Sequence, residues 1–249
     1  MIRTSVAILF MALAIVLALP WLILWSAVTG NADLMYSLSM TSVRIMGRIV
    51  GIRVHVEGIE NIPPGVCIFA SNHASNVDPI ALFPAVPRRL SVIAKKELFR
   101  IPILSFGMRQ AGFIPLDRSN RKASAASVET AVRELKSGLS FAVFPEGTRS
   151  VDGRLGPFKK GTFLMAIQAG VPVVPVSLIG TQHLLRKGDW TVQPGDVTVR
   201  FGAPVDAGRY KIEQRGELLA RVEASVADGL PLDQRPLPRA HQPANPGTA

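Results

Sequence analysis

Cysteine is almost missing from this sequence of 249 residues, in which Cys67 stands alone. One thiol cannot build an internal disulfide framework, and it cannot supply the usual thiolate zinc sites. The four histidines stand at positions 55, 73, 183 and 241, and no two of them have the spacing of metal ligands. The sequence therefore predicts no metal site, and it fits a reducing compartment.

Acidic residues and aromatic residues are also scarce. There are 18 acidic residues against 28 basic ones, which gives a net charge of +10, and aromatics make up 6% of the chain. The basic surplus indicates an anionic partner: nucleic acid, an acidic carrier protein or an anionic membrane surface. Binding of single-stranded nucleic acid usually relies on aromatic stacking. Nucleic acid is therefore the least favoured of the three partners, and we expect none.

Charge is absent from residues 4–32. Residues 6–28 are almost wholly apolar, which is close to the ~20 residues that a membrane-spanning helix needs. Trp21 and Trp25 stand near the far end of this run, as interfacial aromatics do. Because Pro20 would kink such a helix, both a spanning and an interfacial placement stay open. A cleaved signal peptide or a buried soluble helix is less favoured by the length of the run.

The next stretch, residues 35–50, predicts a basic amphipathic helix. Leu38 and Ile45 can share one helical face, while Arg44 and Arg48 lie on another side. Such a helix suits a membrane surface that carries anionic lipids. The basic residues follow the apolar run, so the positive-inside rule predicts the inner membrane with the main domain on its cytoplasmic side. We expect residues 1–50 to be a helical membrane anchor.

Strand and helix patterns alternate in the following part of the chain. Apolar runs or alternations typical of strands cover residues 52–57, 66–70, 141–144, 173–176 and 197–201, and helical spacing covers residues 128–135, 163–170 and 219–226. This alternation predicts one layered α/β domain over residues 51–230, with a mixed sheet flanked by helices. Prolines then punctuate a polar tail, residues 231–249, which we expect to be disordered.

A histidine and an aspartate stand at the end of the strand predicted over residues 66–70. His73 follows that strand, and Asp78 precedes Pro79, which favours the start of a helix. Open α/β sheets bind ligands at the carboxyl ends of their strands. Asp78 can accept a hydrogen bond from one imidazole nitrogen and leave the other as a base for a hydroxyl. Taken alone, this pattern also fits a helix cap and an ordinary loop histidine.

A second polar block follows the strand predicted over residues 141–144. Gly147 offers an unhindered backbone amide, Thr148 a hydroxyl, and Arg149 a guanidinium that can grip a phosphate through two hydrogen bonds. Glu146 can hold that arginine or bind an acceptor hydroxyl. The alternative is an ordinary turn.

Two shorter segments are further candidates. Arg118 follows the apolar run at residues 112–116 and can reach a phosphate, with a solvated pair to Asp117 as the alternative. Residues 171–176 contain two prolines, which limit ladder hydrogen bonds. We therefore expect an edge strand there, or a strand whose amides face a pocket.

In this order the blocks resemble the glycerophospholipid acyltransferase family, and within it the 1-acylglycerol-3-phosphate acyltransferases. The first block of the family, N-H-x-x-x-x-D, is found at residues 72–78, and a second, a glycine leading to an acidic residue and an arginine, at residues 112–118. The third block, F-P-E-G-T-R-S, stands unaltered at residues 144–150, and the valine- and proline-rich fourth matches residues 171–176. The resemblance covers roughly residues 52–205. Pro115 departs from it, since the family often has phenylalanine there.

The resemblance implies that His73, held by Asp78, removes a proton from the acceptor hydroxyl, which then attacks a fatty acyl thioester directly. It also implies that the acceptor's glycerol phosphate is bound by the second and third blocks, through Arg118, Glu146, Gly147, Thr148 and Arg149. A covalent route through Cys67 is disfavoured, because that thiol lies in an apolar strand without flanking charge.

The implied substrates are a lysophospholipid and an acyl donor, either acyl-CoA or an acyl carrier protein, with no cofactor. Four lysines are candidates for docking the donor: Lys95, Lys96, Lys159 and Lys160. Two other functions stay open: an acyltransferase for another lysolipid such as lyso-ornithine lipid, and a membrane lipid-binding protein without turnover.

Overall fold

The computed structural model describes residues 2–31, 33–117, 121–185 and 188–237. The helices are α1 (Ile2–Thr29), α2 (Asp33–Val50), α3 (Asp78–Ala85), α4 (Pro102–Gln110), α5 (Arg121–Lys136), α6 (Gly161–Ala169), α7 (Thr181–Leu184) and α8 (Arg215–Gly229). The strands are β1 (Ile52–Glu57), β2 (Ile68–Ser71), β3 (Leu90–Lys95), β4 (Ile114–Leu116), β5 (Ser140–Val143), β6 (Val173–Ile179) and β7 (Gly195–Phe201).

The seven strands form one sheet in the order β1-β7-β6-β2-β5-β3-β4. Neighbouring strands run parallel except β6 and β7, which are antiparallel. Helices fill the crossovers that parallel strands require. The predicted layered α/β domain with a mixed sheet is therefore confirmed.

Strand β2 shows how the sheet is covered on both faces. Ile68 and Ala70 belong to an apolar cluster that also contains Phe163 and residues of α8. Phe69, between them, belongs to the opposite cluster with Leu82 of α3. Successive side chains of a strand point to opposite faces, and strands buried on both faces are continuously apolar. The charge-free run that precedes His73 thus fixes β2 in the middle of the domain.

Strand β6 lies inside the sheet, between β2 and β7, so the first of the two alternatives for residues 171–176, an edge strand, is wrong. Pro175 pairs with Ala70 of β2, and its carbonyl accepts the amide of Gly202 at 2.8 Å. The antiparallel ladder with β7 begins one residue later, at Val176. The missing N–H of Pro175 therefore falls just outside that ladder, which is how an interior strand accommodates a proline.

Helix α1 is bent near Pro20. The segments Ile2–Ala18 and Pro20–Ser26 meet at 45°. Among the described residues, no single helix is long and apolar enough to cross a membrane, and these two segments reach that length and composition only as a bent pair. Proline breaks the helical hydrogen-bond ladder and clashes with the preceding turn, which accounts for the bend.

Both ends of α1 contact the α/β domain. The hydroxyl of Thr4 accepts the amide of Val192 at 3.2 Å, and the hydroxyl of Ser26 donates to Gln110 Oε1 at 3.3 Å. The helix therefore lies along the domain. Several large apolar side chains of α1 are nevertheless more than 60% exposed: Ile2, Ile8, Leu9, Val16, Trp21 and Val28.

The segment after α8 packs back onto the domain as far as residue 237. Gln234 is 1% exposed, its carbonyl accepts the amide of Leu155 at 2.8 Å, and its side-chain amide donates to Gln182 Oε1 at 3.0 Å. The start of a disordered tail was predicted at residue 231, yet residues 231–237 are ordered here. Residues 238–249 lie outside the described part of the chain.

Candidate active site

The predicted blocks meet at one edge of the sheet. Strands β2, β3, β4 and β5 are parallel, so their carboxyl ends lie together. His73 follows β2, Glu146 follows β5, and Lys96 after β3 pairs with Asp117 after β4 at 2.5 Å. Arg118, predicted to bind phosphate, lies outside the described residues.

His73 and Asp78 form a hydrogen-bonded pair. His73 Nδ1 lies 2.7 Å from Asp78 Oδ2, and the same oxygen accepts the amides of Ala74 at 2.7 Å and Ser75 at 2.8 Å. Asp78 is completely buried, whereas the His73 side chain is 19% exposed. A carboxylate oxygen that accepts two backbone amides is an acceptor towards the imidazole as well. Nδ1 therefore carries the proton, and Nε2 keeps its lone pair for an incoming hydroxyl.

Three further contacts hold His73, and all come from the third block, residues 144–150. The ring of Phe144 stacks on the imidazole, with 4.3 Å between centroids and 25° between planes. The His73 amide donates to Glu146 Oε1 at 2.7 Å, and the Ser150 amide donates to the His73 carbonyl at 2.8 Å. Sequence reasoning missed Phe144 and Ser150, although both stand in the block that it singled out.

Glu146 points into the protein and is 6% exposed. Its second oxygen, Oε2, accepts the amide of Gly156 at 3.1 Å. Burial raises the pKa of Glu146 to about 8, against the two backbone hydrogen bonds, which lower it. A Cβ at position 156 would lie 2.8 Å from Oε2, so any larger residue there would push on this side chain. No sequence signal identified Gly156.

Gly147, Thr148 and Arg149 of the third block are less buried than Glu146. Gly147 has φ +73°, a left-handed conformation that glycine adopts without strain, and its amide donates to the Phe144 carbonyl at 3.0 Å. A Cβ there would lie 2.9 Å from Lys159 Nζ, so the lysine side chain lies directly over the Gly147 backbone. Thr148 is exposed and Arg149 is half-buried. All three follow β5, at the same sheet edge as His73.

His73 opens onto an apolar cavity of about 770 Å³. This volume lies within the ~300–1,000 Å³ typical of ligand sites. Lys95, Lys159 and Thr162 are among its few polar groups. Its apolar wall draws on helices α2 to α6 and strands β3 to β5, and includes Met40 and Val43 of α2, Phe83, Leu98, Phe113 and Met165. Helix α2 is therefore a wall of this cavity as well as the partner of α1.

Cys67 takes no part in this surface. It is completely buried, and burial raises the pKa of its thiol to about 11, although Arg88 and Ser140 act in the opposite direction. A thiol that keeps its proton is a poor nucleophile. Cys67 is therefore a small core residue.

Residues 53–179 match the family described as Acyltransferase, and the chain belongs to that family. It is 36% identical over 190 residues to a 1-acyl-sn-glycerol-3-phosphate acyltransferase of Limnanthes douglasii, covering 76% of this chain and 67% of the relative. It is 32% identical over 192 residues to the enzyme so named in Pseudomonas aeruginosa, covering 75% and 74%.

A crystal structure shows the same fold. The 1-acyl-sn-glycerophosphate (LPA) acyltransferase PlsC from Thermotoga maritima superposes with a TM-score of 0.75 at 32% identity, over 92% of this chain and 95% of that one. The chain is thus an enzyme of acyl transfer. The His73–Asp78 pair lies within the matched residues 53–179, and so does the cavity wall apart from Met40 and Val43 of α2.

Proposed function

We propose that this acyltransferase moves a fatty acyl group from acyl-CoA or acyl carrier protein to the sn-2 hydroxyl of 1-acylglycerol-3-phosphate. The product is phosphatidic acid, an intermediate of phospholipid biosynthesis. The observation that carries the proposal is a histidine with a free Nε2 at the wall of a 770 Å³ apolar cavity. The names of the relatives support the choice of acceptor.

In the proposed reaction His73 Nε2 takes the proton of the acceptor hydroxyl while the hydroxyl oxygen attacks the thioester carbonyl carbon. The new C–O bond forms, the C–S bond breaks, and the proton passes from His73 to the leaving sulfur, which departs as a thiol. Asp78 stabilises the imidazolium while it exists. Nothing is oxidised or reduced, so the step needs no redox cofactor. The buried, protonated Cys67 favours this direct transfer over an acyl-enzyme.

We assign the acceptor's phosphate to the two arginines of the second and third blocks, Arg118 and Arg149, which supply guanidinium donors, and to the hydroxyl of Thr148. The amide of Gly147 already donates to the carbonyl of Phe144 at 3.0 Å, so we do not assign it as a phosphate donor. Lys95 and Lys159 border the cavity and would attract the phosphates of coenzyme A or the acidic surface of a carrier protein.

We further propose that α1 and α2 hold the enzyme on the cytoplasmic face of the inner membrane. The contacts at Thr4 and Ser26 are separated by roughly 30 Å of helix. A helix attached at both ends to one domain presents its outer face along that domain. This arrangement supports an interfacial placement, with the exposed apolar side chains in the lipid, rather than a spanning one.

The direct test uses two acceptors that differ by one phosphate. The purified enzyme is given labelled acyl-CoA or acyl carrier protein with 1-acylglycerol-3-phosphate or with the matching monoacylglycerol, in mixed vesicles. We expect labelled phosphatidic acid and little diacylglycerol, and we expect Arg149→Ala to reduce that discrimination. A folded enzyme that acylates neither acceptor with either donor would refute the proposal. Transfer to lyso-ornithine lipid alone would reassign the acceptor.

A further inference from the structure

The backbone of His73 is bonded to the third block through both of its polar groups. Its amide donates to Glu146 Oε1 at 2.7 Å, and its carbonyl accepts the Ser150 amide at 2.8 Å. A residue at the end of a strand ordinarily loses its ladder partners and becomes mobile. Here one motif replaces them on both sides, which fixes the position of the His73 Cα.

Glu146 presents no face to the cavity. The cavity wall includes Pro145 and Gly147, while Glu146 between them turns inward and is 6% exposed. Both of its oxygens are occupied, one by the His73 amide and the other by the Gly156 amide. Each oxygen could accept one more hydrogen bond, but at 6% exposure Glu146 offers an acceptor hydroxyl or an arginine little access.

The contact at Gly156 extends the support to two more segments. Gly156 belongs to the loop between β5 and α6, and its neighbour Leu155 donates to the carbonyl of the buried Gln234 at 2.8 Å. Glu146 therefore joins the β2–α3 loop to a distant part of its own β5–α6 loop, and the segment after α8 is bonded to the neighbouring residue, Leu155.

We propose that Glu146 is a positioning residue, which holds the backbone of the base His73 through this brace and does not contact the acceptor. The inference rests on the proposed function, since it takes His73 as the base. Asp78 sets the tautomer of the imidazole and Phe144 holds its face. Glu146 fixes the position of the His73 backbone, and thereby the point from which the imidazole side chain extends. A displacement of about 1 Å in a catalytic group costs as much as 10²-fold in rate.

The test separates kcat from KM in three variants. Glu146→Gln puts an NH₂ group against one backbone amide, and Gly156→Ala pushes on the carboxylate without removing it. For both we expect kcat about 10–10²-fold lower with KM for lysophosphatidate nearly unchanged. Arg149→Ala, assigned to the phosphate, should instead raise KM. Gly216→Ala is the control, because a Cβ there meets nothing within 4 Å.

The outcomes are distinguishable. Glu146→Gln with a raised KM and the kcat of the parent would make Glu146 a substrate contact and overturn the inference. Gly156→Ala with the kcat of the parent would do the same, and this milder change decides the matter if Glu146→Gln fails to fold. A parent enzyme without turnover refutes the proposed function itself, whereas an active parent leaves the inference to be judged on the variants alone.

Discussion

Two histidine–aspartate pairs occur among the described residues, and they differ in almost everything except composition. His73 and Asp78 are 2.7 Å apart, and their side chains are 19% and 0% exposed. His55 and Asp196 are 2.9 Å apart on β1 and β7 at the margin of the sheet, and their side chains are 58% and 52% exposed. Proximity alone therefore does not distinguish a candidate catalytic pair from a surface contact.

The difference lies in what else each aspartate binds. Asp196 accepts two hydrogen bonds from Arg53, at 2.7 and 2.5 Å. Arg53 is the main cause, and His55 the second, of a pKa of Asp196 below its usual range. Asp78 accepts backbone amides instead, which leaves its interaction with His73 free of a competing cation. Backbone donors and burial orient an imidazole, whereas an exposed arginine takes the carboxylate for itself.

The strongest test of the difference between the two pairs is to remove each histidine in turn. We expect His73→Ala to lower kcat by about 10²–10⁴-fold, the range of general base catalysis, because no group replaces Nε2. His55→Ala should leave kcat and KM unchanged. Acyl transfer under identical conditions measures both. Equal losses in the two variants, with both proteins folded, would mean that the buried pair is not the catalytic one.

Replacing the aspartates gives a smaller effect with the same asymmetry. In Asp78→Asn the amide oxygen can take over the three hydrogen bonds of Oδ2, but the side chain no longer carries the negative charge that stabilises the imidazolium. We expect a loss in kcat of roughly 10²-fold. Asp196→Asn should not affect turnover. An Asp78→Asn enzyme with the parent's kcat would show that turnover does not depend on the negative charge of Asp78.

The first of these pairs could be predicted from the sequence and the second could not. His73 and Asp78 are five residues apart, on a strand end and a helix start that local patterns reveal. His55 and Asp196 meet because β1 pairs with β7, which no local pattern specifies. Sequence reasoning identifies what neighbours along the chain can do, and the sheet order decides which distant residues meet.

The same limit explains the errors in the fold. Val54 and Val56 alternate with polar residues as a half-buried strand does, yet each is 41% exposed, because β1 is an edge strand. In α2 the sequence pattern does not show which apolar residue is covered: Met35 is buried, while Leu38 and Ile45 are exposed. Periodicity gave the element in both cases, but burial depends on which neighbours cover it.

The comparison can also be extended to pH through Glu146, the carboxylate that holds the buried histidine. Its pKa is about 8 in the folded protein and near 4.5 when unfolded, so the folded state keeps a proton that the unfolded state releases. Stability should therefore fall as pH rises from about 5 to about 8 and level off above, by a few kcal/mol at most. Glu146→Gln should lack this slope in thermal unfolding. Parallel curves for parent and variant would contradict the raised pKa.

The stability that the exposed pair contributes should change with pH in the opposite direction, and this is the smallest of the predicted effects. The pKa of Asp196 lies below its ordinary value of 3.8, because of Arg53 first and His55 second, so its contribution to stability is present above about pH 4. That contribution is lost as pH falls through the folded pKa. Parent and Asp196→Asn should differ slightly in melting temperature at pH 6, and the difference should shrink at pH 3 and in high salt, since exposed charges are screened. A difference that salt leaves unchanged would show that Asp196 is shielded from solvent, and the contrast between the two pairs would then rest on the competing arginine alone.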